Sequence, residues 1–282
     1  MKIKHYSFLL LAIIAGLTIG YFSVFTVPKT PELISINQSD IQTDWYCRQP
    51  SNITSEPIDK NGEFNLVVWN IHKQGDAGWQ STLEDYGKNT QLLMLQEATL
   101  TESFQKWLAS QEWVANQVNA FKVFGESAGV LNLSSVLPNR ACAYTAVEPW
   151  ILLPKSALYA RYRLSNGQEL VTINLHAINF TLGTEDFQTQ INHLERAVKK
   201  HEGPMIIAGD FNTWSEGRWQ EVRYIMAKLF MQEVTFKPDH RRRFINDLAF
   251  DHVFYRDLNV LEASSLVTTA SDHNPMMVKF SL

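Results

Sequence analysis

The sequence predicts an α/β domain preceded by an apolar N-terminal helix, and three observations carry that reading. Uninterrupted apolar runs, such as MIIA at 205–208, fit strands covered on both faces. Segments with apolar residues at helical spacing alternate with them, so strand and helix succeed one another in the second half of the chain. Residues 6–27 carry no Asp, Glu, Lys or Arg behind Lys2 and Lys4, and that is long enough for a helix to cross a hydrocarbon core of roughly 30 Å.

A chain of 282 residues, 45% apolar and 12% aromatic, supplies a substantial core and excludes disorder. With 25 basic against 29 acidic residues the net charge is −4, which excludes a global positive field; a polyanion would need a local basic site.

The N-terminal segment, 1–27, reads as an uncleaved membrane anchor with Lys2 and Lys4 inside and the domain exported to the periplasm. The alternatives are a signal removed on secretion, although TVPKTPEL lacks an A-x-A cleavage pattern, and a cytoplasmic protein. Residues 28–62 contain Pro28, Pro31, Pro50 and Pro57 among many Ser, Asn, Gln and Asp, and predict a linker. The folded domain then spans 63–282. Cys47 and Cys142 have no zinc-type spacing; export permits a disulfide between them, and two free thiols are equally compatible.

In chain order, FNLVVWN predicts a strand ending in Asn70, followed by a polar loop and a short helix over 79–86. QLLMLQEA predicts a second strand closing on Gln96 and Glu97. Thr99 or Thr101 caps a helix through Trp107, with Glu102 near the positive end of its dipole. Residues 113–164, broken by Gly125, Gly129, Pro138, Pro149 and Pro154, predict an antiparallel meander, in which spacing gives Ser134, Ser135, Arg140 and Lys155 no role. ELVTINLHAINF brings His176 and Asn179 to another strand end. Phe187, Ile191, Leu194, Ala197 and Val198 predict a helix over 184–200, stopped by Gly203 and Pro204.

Then comes MIIAGDFNTWS, where Gly209 lets the backbone leave the strand. Continued extension puts Asp210 and Asn212 on one side, pairing a base or metal ligand with an amide; turn formation is the competing use of those residues. A helix over 218–230 follows. Asp251 opens a strand, and Asp272 and His273 stand in the loop before the last one. Strand ends thus gather Asn70, Glu97, His176, Asp210, Asn212, Asp251, Asp272 and His273, with no cysteine among them and no G-x-S-x-G. Hard oxygen donors select magnesium, calcium or manganese over zinc and suit phosphate-ester cleavage.

The ordered series VVWNI, LLMLQEA, NLHAINF, IIAGDFNTW, FDHVFY and SDHNPM resembles the endonuclease/exonuclease/phosphatase superfamily, the DNase I-like phosphodiesterases, over residues 63–282. It is similar to a bacterial branch of it that has no assigned substrate, here with an added N-terminal segment. The resemblance implies a four-layer α/β sandwich, two packed mixed sheets with outer helices, behind one transmembrane or signal helix. It implies Glu97 as principal metal ligand with Asn70 and Asp272, Asp210 aligning the attacking water, and Asp251 orienting the catalytic His273. It further implies Asn212 and His176 as phosphate-binding groups and Mg2+ or Mn2+ as cofactor; Asn179, near the strand end with His176, and Arg241, in the basic run, are further candidate substrate contacts. His252 stands where many relatives have tyrosine or alanine, and is expected to point away from the site.

The implied activity is metal-dependent hydrolysis of phosphodiester or phosphomonoester bonds in nucleic acid or a phospholipid or sphingolipid head group, by a monomer. The alternative, a non-catalytic binding domain, predicts loss of Glu97, Asp210 or His273, and all three are present. The run from Arg241 to Arg243 binds phosphate or forms a solvated face. Trp79, Trp214 and Trp219 stack on substrate or pack the core.

Overall fold

A computed structural model describes residues 2–37, 40–49, 55–181 and 183–282, with side chains from residue 10 onward. The elements begin with α1 (Lys2–Val24), β1 (Phe25–Thr26), β2 (Glu32–Asn37), β3 (Asp40–Trp45), β4 (Cys47–Arg48), β5 (Glu63–Asn70), α2 (Trp79–Gly87), β6 (Leu92–Thr99) and α3 (Glu102–Ala109). The meander follows as β7 (Val114–Asn119), β8 (Phe121–Val123), β9 (Glu126–Ser134), β10 (Arg140–Val147), β11 (Pro154–Arg163) and β12 (Glu169–His176). The chain ends with α4 (Glu185–Val198), β13 (Met205–Asp210), α5 (Glu216–Lys228), β14 (Gln232–Glu233), β15 (Asp251–Arg256), β16 (Asn259–Ser265) and β17 (Met276–Ser281).

Among the described residues these strands form two mixed sheets. One has ten strands, with β16-β17-β5-β6-β9-β7-β2-β3 as its main path; the other has seven, in the order β14-β15-β13-β12-β11-β10-β4. The apolar runs are continuous because alternate residues serve two cores. Leu66 and Val68 of β5 meet Ala208 of β13 and Val253 of β15 between the sheets. Val67 and Trp69 face outward onto Leu83 of α2 and Phe104 of α3. Ile207 of β13 packs under α4 and α5 through Phe187, Ile191 and Val222. The result is the expected sandwich of two sheets with helices outside. Helix starts follow local chemistry: Thr101 Oγ1 accepts from Phe104 N at 3.1 Å at the head of α3. Beneath the strand ends, the buried Gln96 donates to Asn174 Oδ1 at 2.7 Å and Asn174 donates to Asn132 Oδ1 at 2.9 Å, a polar tie between the sheets.

One expectation needs correction. Residues 28–62 are not simply a linker: β2 and β3 form a hairpin whose β2 edge pairs with β7, and β4 joins β10 of the other sheet. Leu33 and Ile36 are buried there, so two well-placed apolar residues outweigh a polar, proline-bearing composition. The folded body therefore begins at β1, which pairs with β8, well before Glu63. At the N-terminus α1 exposes large apolar side chains from Leu10 through Phe22, but among the described residues no helix is long and apolar enough to cross a membrane. The expected segment 6–27 lies partly outside the described side chains.

Candidate active site

Sheet register assembles the site. The β12–β13 pairing sets His176 beside Asp210, and the β13–β15 pairing sets Asp210 beside Asp251. Gly209 is needed because the strands close in: its φ is +139°, and a Cβ there would stand 2.0 Å from the Leu175 carbonyl oxygen. The strand stops at Asp210, and Asn212 turns left-handed at φ 50°. Asp210 and Asn212 therefore do not share a strand face as an extended backbone would give; Asp210 Oδ1 accepts from Asn212 N at 2.9 Å, closing a turn.

His273 is buried, and its Nδ1 lies 2.7 Å from Asp251 Oδ2 while its Nε2 looks across 4.0 Å to Asp210 Oδ2. Its main chain is fixed from both sides: the carbonyl accepts from Trp69 Nε1 at 2.9 Å and the amide donates to Ser271 Oγ at 3.1 Å. Burial alone would lower the pKa of this imidazole, but Asp251, by charge and hydrogen bond, and then Asp210 and Asp272 raise it to about 9. The ring is a cation at neutral pH, and Nε2 can donate.

His176 behaves in the opposite way. Burial and then the charge of Lys155 push its pKa down to about 4, so it is neutral, and its Nε2 lies 2.9 Å from Lys155 Nζ. It stands 3.6 Å from Asp210 and 3.9 Å from Glu97, near both and hydrogen-bonded to neither. The cation that faces the cavity here is Lys155.

Glu97 sits at an irregularity in β6 where the pairing to β9 skips between Leu95 and Ala98, with φ 53°. A non-glycine residue held left-handed is backbone strain that the surroundings must impose. Its carboxylate pairs with Lys73, itself at φ 56° in the turn after β5. Burial alone would raise this carboxyl; His176, Lys73 and Lys155 overcome it and bring it to about 2. Since His176 is neutral at pH 7, the two lysines are the cations that act there.

Asn70 does not turn toward Glu97. Its Nδ2 donates to Asp210 Oδ2 at 3.0 Å and its Oδ1 accepts from His72 N at 3.1 Å, so it positions the aspartate. Asp272 is partly exposed, pairs with Arg242 and lines the same cavity as Glu97, Asp210 and His273. Among the described residues, the titratable groups whose ligand atoms converge, all within 4.8 Å, are Asp210, Asp251 and His273. Carboxylates with a supporting amide and no thiol are donors that fit a hard divalent cation.

Residues 67–273 match the Endonuclease/Exonuclease/phosphatase family. The chain belongs to that family. A UPF0294 protein of Vibrio parahaemolyticus serotype O3:K6 is 48% identical over 279 residues, 99% of both chains. One of Yersinia pestis is 40% identical over 225 residues, 80% of this chain and 86% of its own. The fold is shared with the endonuclease/exonuclease/phosphatase from Bacteroides vulgatus, at TM-score 0.60 and 18% identity over 78% of this chain and 99% of that one. It is likewise shared with D. rerio TDP2 complexed with single strand DNA product, at TM-score 0.59 and 16% identity over 79% of this chain and all of that one.

Asn179 and Asn212 line the cavity as expected, and Arg241 stands differently from the sequence reading. Arg241 does not line the cavity: it binds Asp239 at 2.9 Å, Glu233 at 3.0 Å and the Asp251 carbonyl at 3.1 Å, bracing the dyad strand from behind. Arg242 is the arginine that reaches the cavity. Asn179 accepts from Trp214 Nε1 at 2.9 Å and its carbonyl accepts from Arg218 at 2.8 Å, so it holds the rim together. Asn212 spends its amide NH2 on the Ala177 carbonyl at 2.9 Å. His252 does point away, lying 2.7 Å from Glu233 and 2.8 Å from Thr213 and stacking on Trp219. Trp79 packs with Phe104 and Trp107, whereas Trp214 lines the cavity. Lys73 and Lys155 were not legible as site residues: one lies in a polar loop and the other opens a strand, and only the fold brings them together.

Proposed function

We propose that this chain hydrolyses phosphodiester bonds with the help of a divalent cation. The observation that carries the reading is the 2.7 Å contact between Asp251 and His273, with Asp210 opposite Nε2. In the reaction Asp210 aligns a water and takes its proton as the water oxygen bonds to phosphorus. The ester P–O bond on the far side breaks, and the released alkoxide takes a proton from solvent. The His273 imidazolium donates to a non-bridging phosphate oxygen, and Lys155 adds a second positive charge at that end. Glu97 and Asp272 would hold magnesium or manganese, with Asn70 positioning Asp210, and the ion when bound would neutralise charge building on the phosphate. A chromogenic phosphodiester, bis(p-nitrophenyl) phosphate, tests this. Hydrolysis is expected to stop in chelator and return with magnesium or manganese better than with zinc; full activity in chelator overturns it.

We further propose that α1 holds the domain at a membrane, outside the cytoplasm. The uncharged segment behind Lys2 and Lys4, the apolar side chains exposed on α1, and the disulfide between Cys47 and Cys142, a bond that oxidising compartments preserve, support this. A reporter enzyme active only outside the cytoplasm, fused after Leu282, is expected to be active, with the protein in the membrane fraction. A soluble cytoplasmic product overturns the assignment, and a soluble exported one replaces the anchor with a cleaved signal.

A further inference from the structure

The cavity that holds the catalytic groups has a volume of about 730 Å3, far more than one phosphate needs. Its polar end carries Glu97, Asp210, Asp272 and His273. Its lining also includes Phe121, Trp150, Ile151, Leu153, Phe180 and Phe244, none of them charged. Trp150 is 60% exposed, Phe180 49% and Phe244 43%, so the fold leaves these rings to water. Glu148, which also lines the cavity, is fully buried and accepts from the Phe180 amide at 3.0 Å.

The wall is continuous with the apolar helix. Tyr21 at the foot of α1 donates its hydroxyl to the Ile151 carbonyl at 2.9 Å, and the Phe25 ring lies 6.2 Å from that of Phe121. The Val24 carbonyl accepts from Phe124 N at 2.9 Å, and β1 pairs with β8. The exposed face of α1 and the cavity rim thus meet as one apolar surface. Such a surface next to a concave site marks contact with apolar matter.

Cations decide between the two kinds of phosphodiester. Lys73, Lys155 and Arg242 all pair at the polar end, with Glu97, His176 and Asp272 respectively. Among the described residues that line the cavity the lysines and arginines are Lys73, Lys155 and Arg242, few for the successive phosphates of a polynucleotide, and the chain carries a net charge of −4. One phosphate fits, with hydrocarbon beyond it.

We propose that the substrates of this site are phospholipids, with the phosphodiester at His273 and the hydrocarbon chain along Phe121, Trp150 and Phe180; this rests on the hydrolase reading above. The test uses the full-length protein in mixed micelles with magnesium. It compares glycerophospholipids of one head group and increasing chain length, a single-stranded oligonucleotide, and bis(p-nitrophenyl) phosphate. Long-chain lipid is expected to be turned over with a kcat/KM at least about tenfold above the short-chain one and above the oligonucleotide, since each methylene adds to binding. Replacing an exposed wall ring, Trp150→Ser or Phe180→Ser, is expected to flatten that chain-length ratio. A flat ratio in the unmodified protein, or preference for the oligonucleotide, overturns the lipid proposal while hydrolysis of the chromogenic diester keeps the hydrolase reading. Failure on every diester overturns the hydrolase reading instead. Calorimetry of alkylphosphonates of increasing length, below their micelle-forming concentrations, on the His273→Ala protein then decides the cavity separately: affinity rising with length supports the wall, and none overturns it.

Discussion

Asp251 and His273, 22 residues apart in the chain, meet at 2.7 Å where the start of β15 faces the loop before β17. The carboxylate fixes Nδ1 as the protonated nitrogen on its own side and leaves Nε2 to face Asp210. Either Asp251→Asn or His273→Ala is therefore expected to lower kcat by a factor on the order of a hundred or more. The double variant is expected to be little worse than His273→Ala, because residues acting as a unit do not add. Steady-state kinetics on bis(p-nitrophenyl) phosphate check this; losses that multiply mean that the two act separately.

The same pair sets a pH window. The His273 pKa is raised from 6.5 to about 9 in the folded protein, so the group binds its proton more tightly folded than unfolded. Its contribution to stability is fully present below pH 6.5 and is lost as pH rises through about 9. Thermal melts across that range are expected to show a decline that Asp251→Asn removes, since the variant lacks the charge that raises the pKa. A proton NMR titration with the His273 resonance moving near pH 6.5 in the native protein contradicts the account.

Gly209 is expected to tolerate no side chain. Gly209→Ala places its Cβ 2.0 Å from the Leu175 carbonyl oxygen at a φ of +139°, and backbone on a paired strand cannot swing aside as a side-chain tip can. Clash and strain together are expected to cost about 3 kcal/mol or more, readable as a lower denaturant midpoint. An unchanged midpoint means that β12 and β13 are looser than their register.

The central strands and the acid and histidine positions were legible in the sequence for one reason. β5, β6 and β13 are buried on both faces, so their apolar runs are unbroken and the polar residues that end them stand out. What was hidden depends on pairing across distance. Lys73 reaches Glu97 and Lys155 reaches His176 only because strand register aligns elements 24 and 21 residues apart. Arg241 and Arg242 are neighbours with opposite fates, one bracing Asp251 from behind and the other paired to Asp272 at the cavity, and composition cannot divide a loop that finely. The β2–β3 hairpin hid because its buried apolar positions are few and its flanks are rich in proline and polar residues.

Cys47 and Cys142 form a disulfide that ties β4, in the segment the sequence offered as a linker, to β10 in the folded domain. Arg140 lies along it, with Nε 3.3 Å from Cys142 Sγ and Nη2 3.7 Å from Cys47 Sγ. A crosslink across a sequence separation of 95 removes a large share of the freedom of the unfolded chain, worth about 2–4 kcal/mol for a typical native disulfide. It does not act alone, because β2 also holds this segment through its pairing with β7. Reduction, or the double variant Cys47→Ser with Cys142→Ser, is therefore expected to lower the melting temperature by roughly 5–10 °C without dispersing the fold. The dyad lies on β15 and in the loop before β17, neither of which carries a cysteine, so kcat at a temperature well below the melt is expected to change little. Loss of activity in step with reduction at that temperature means that the disulfide also shapes the cavity, through the Pro154 and Lys155 end of β11, which pairs with β10.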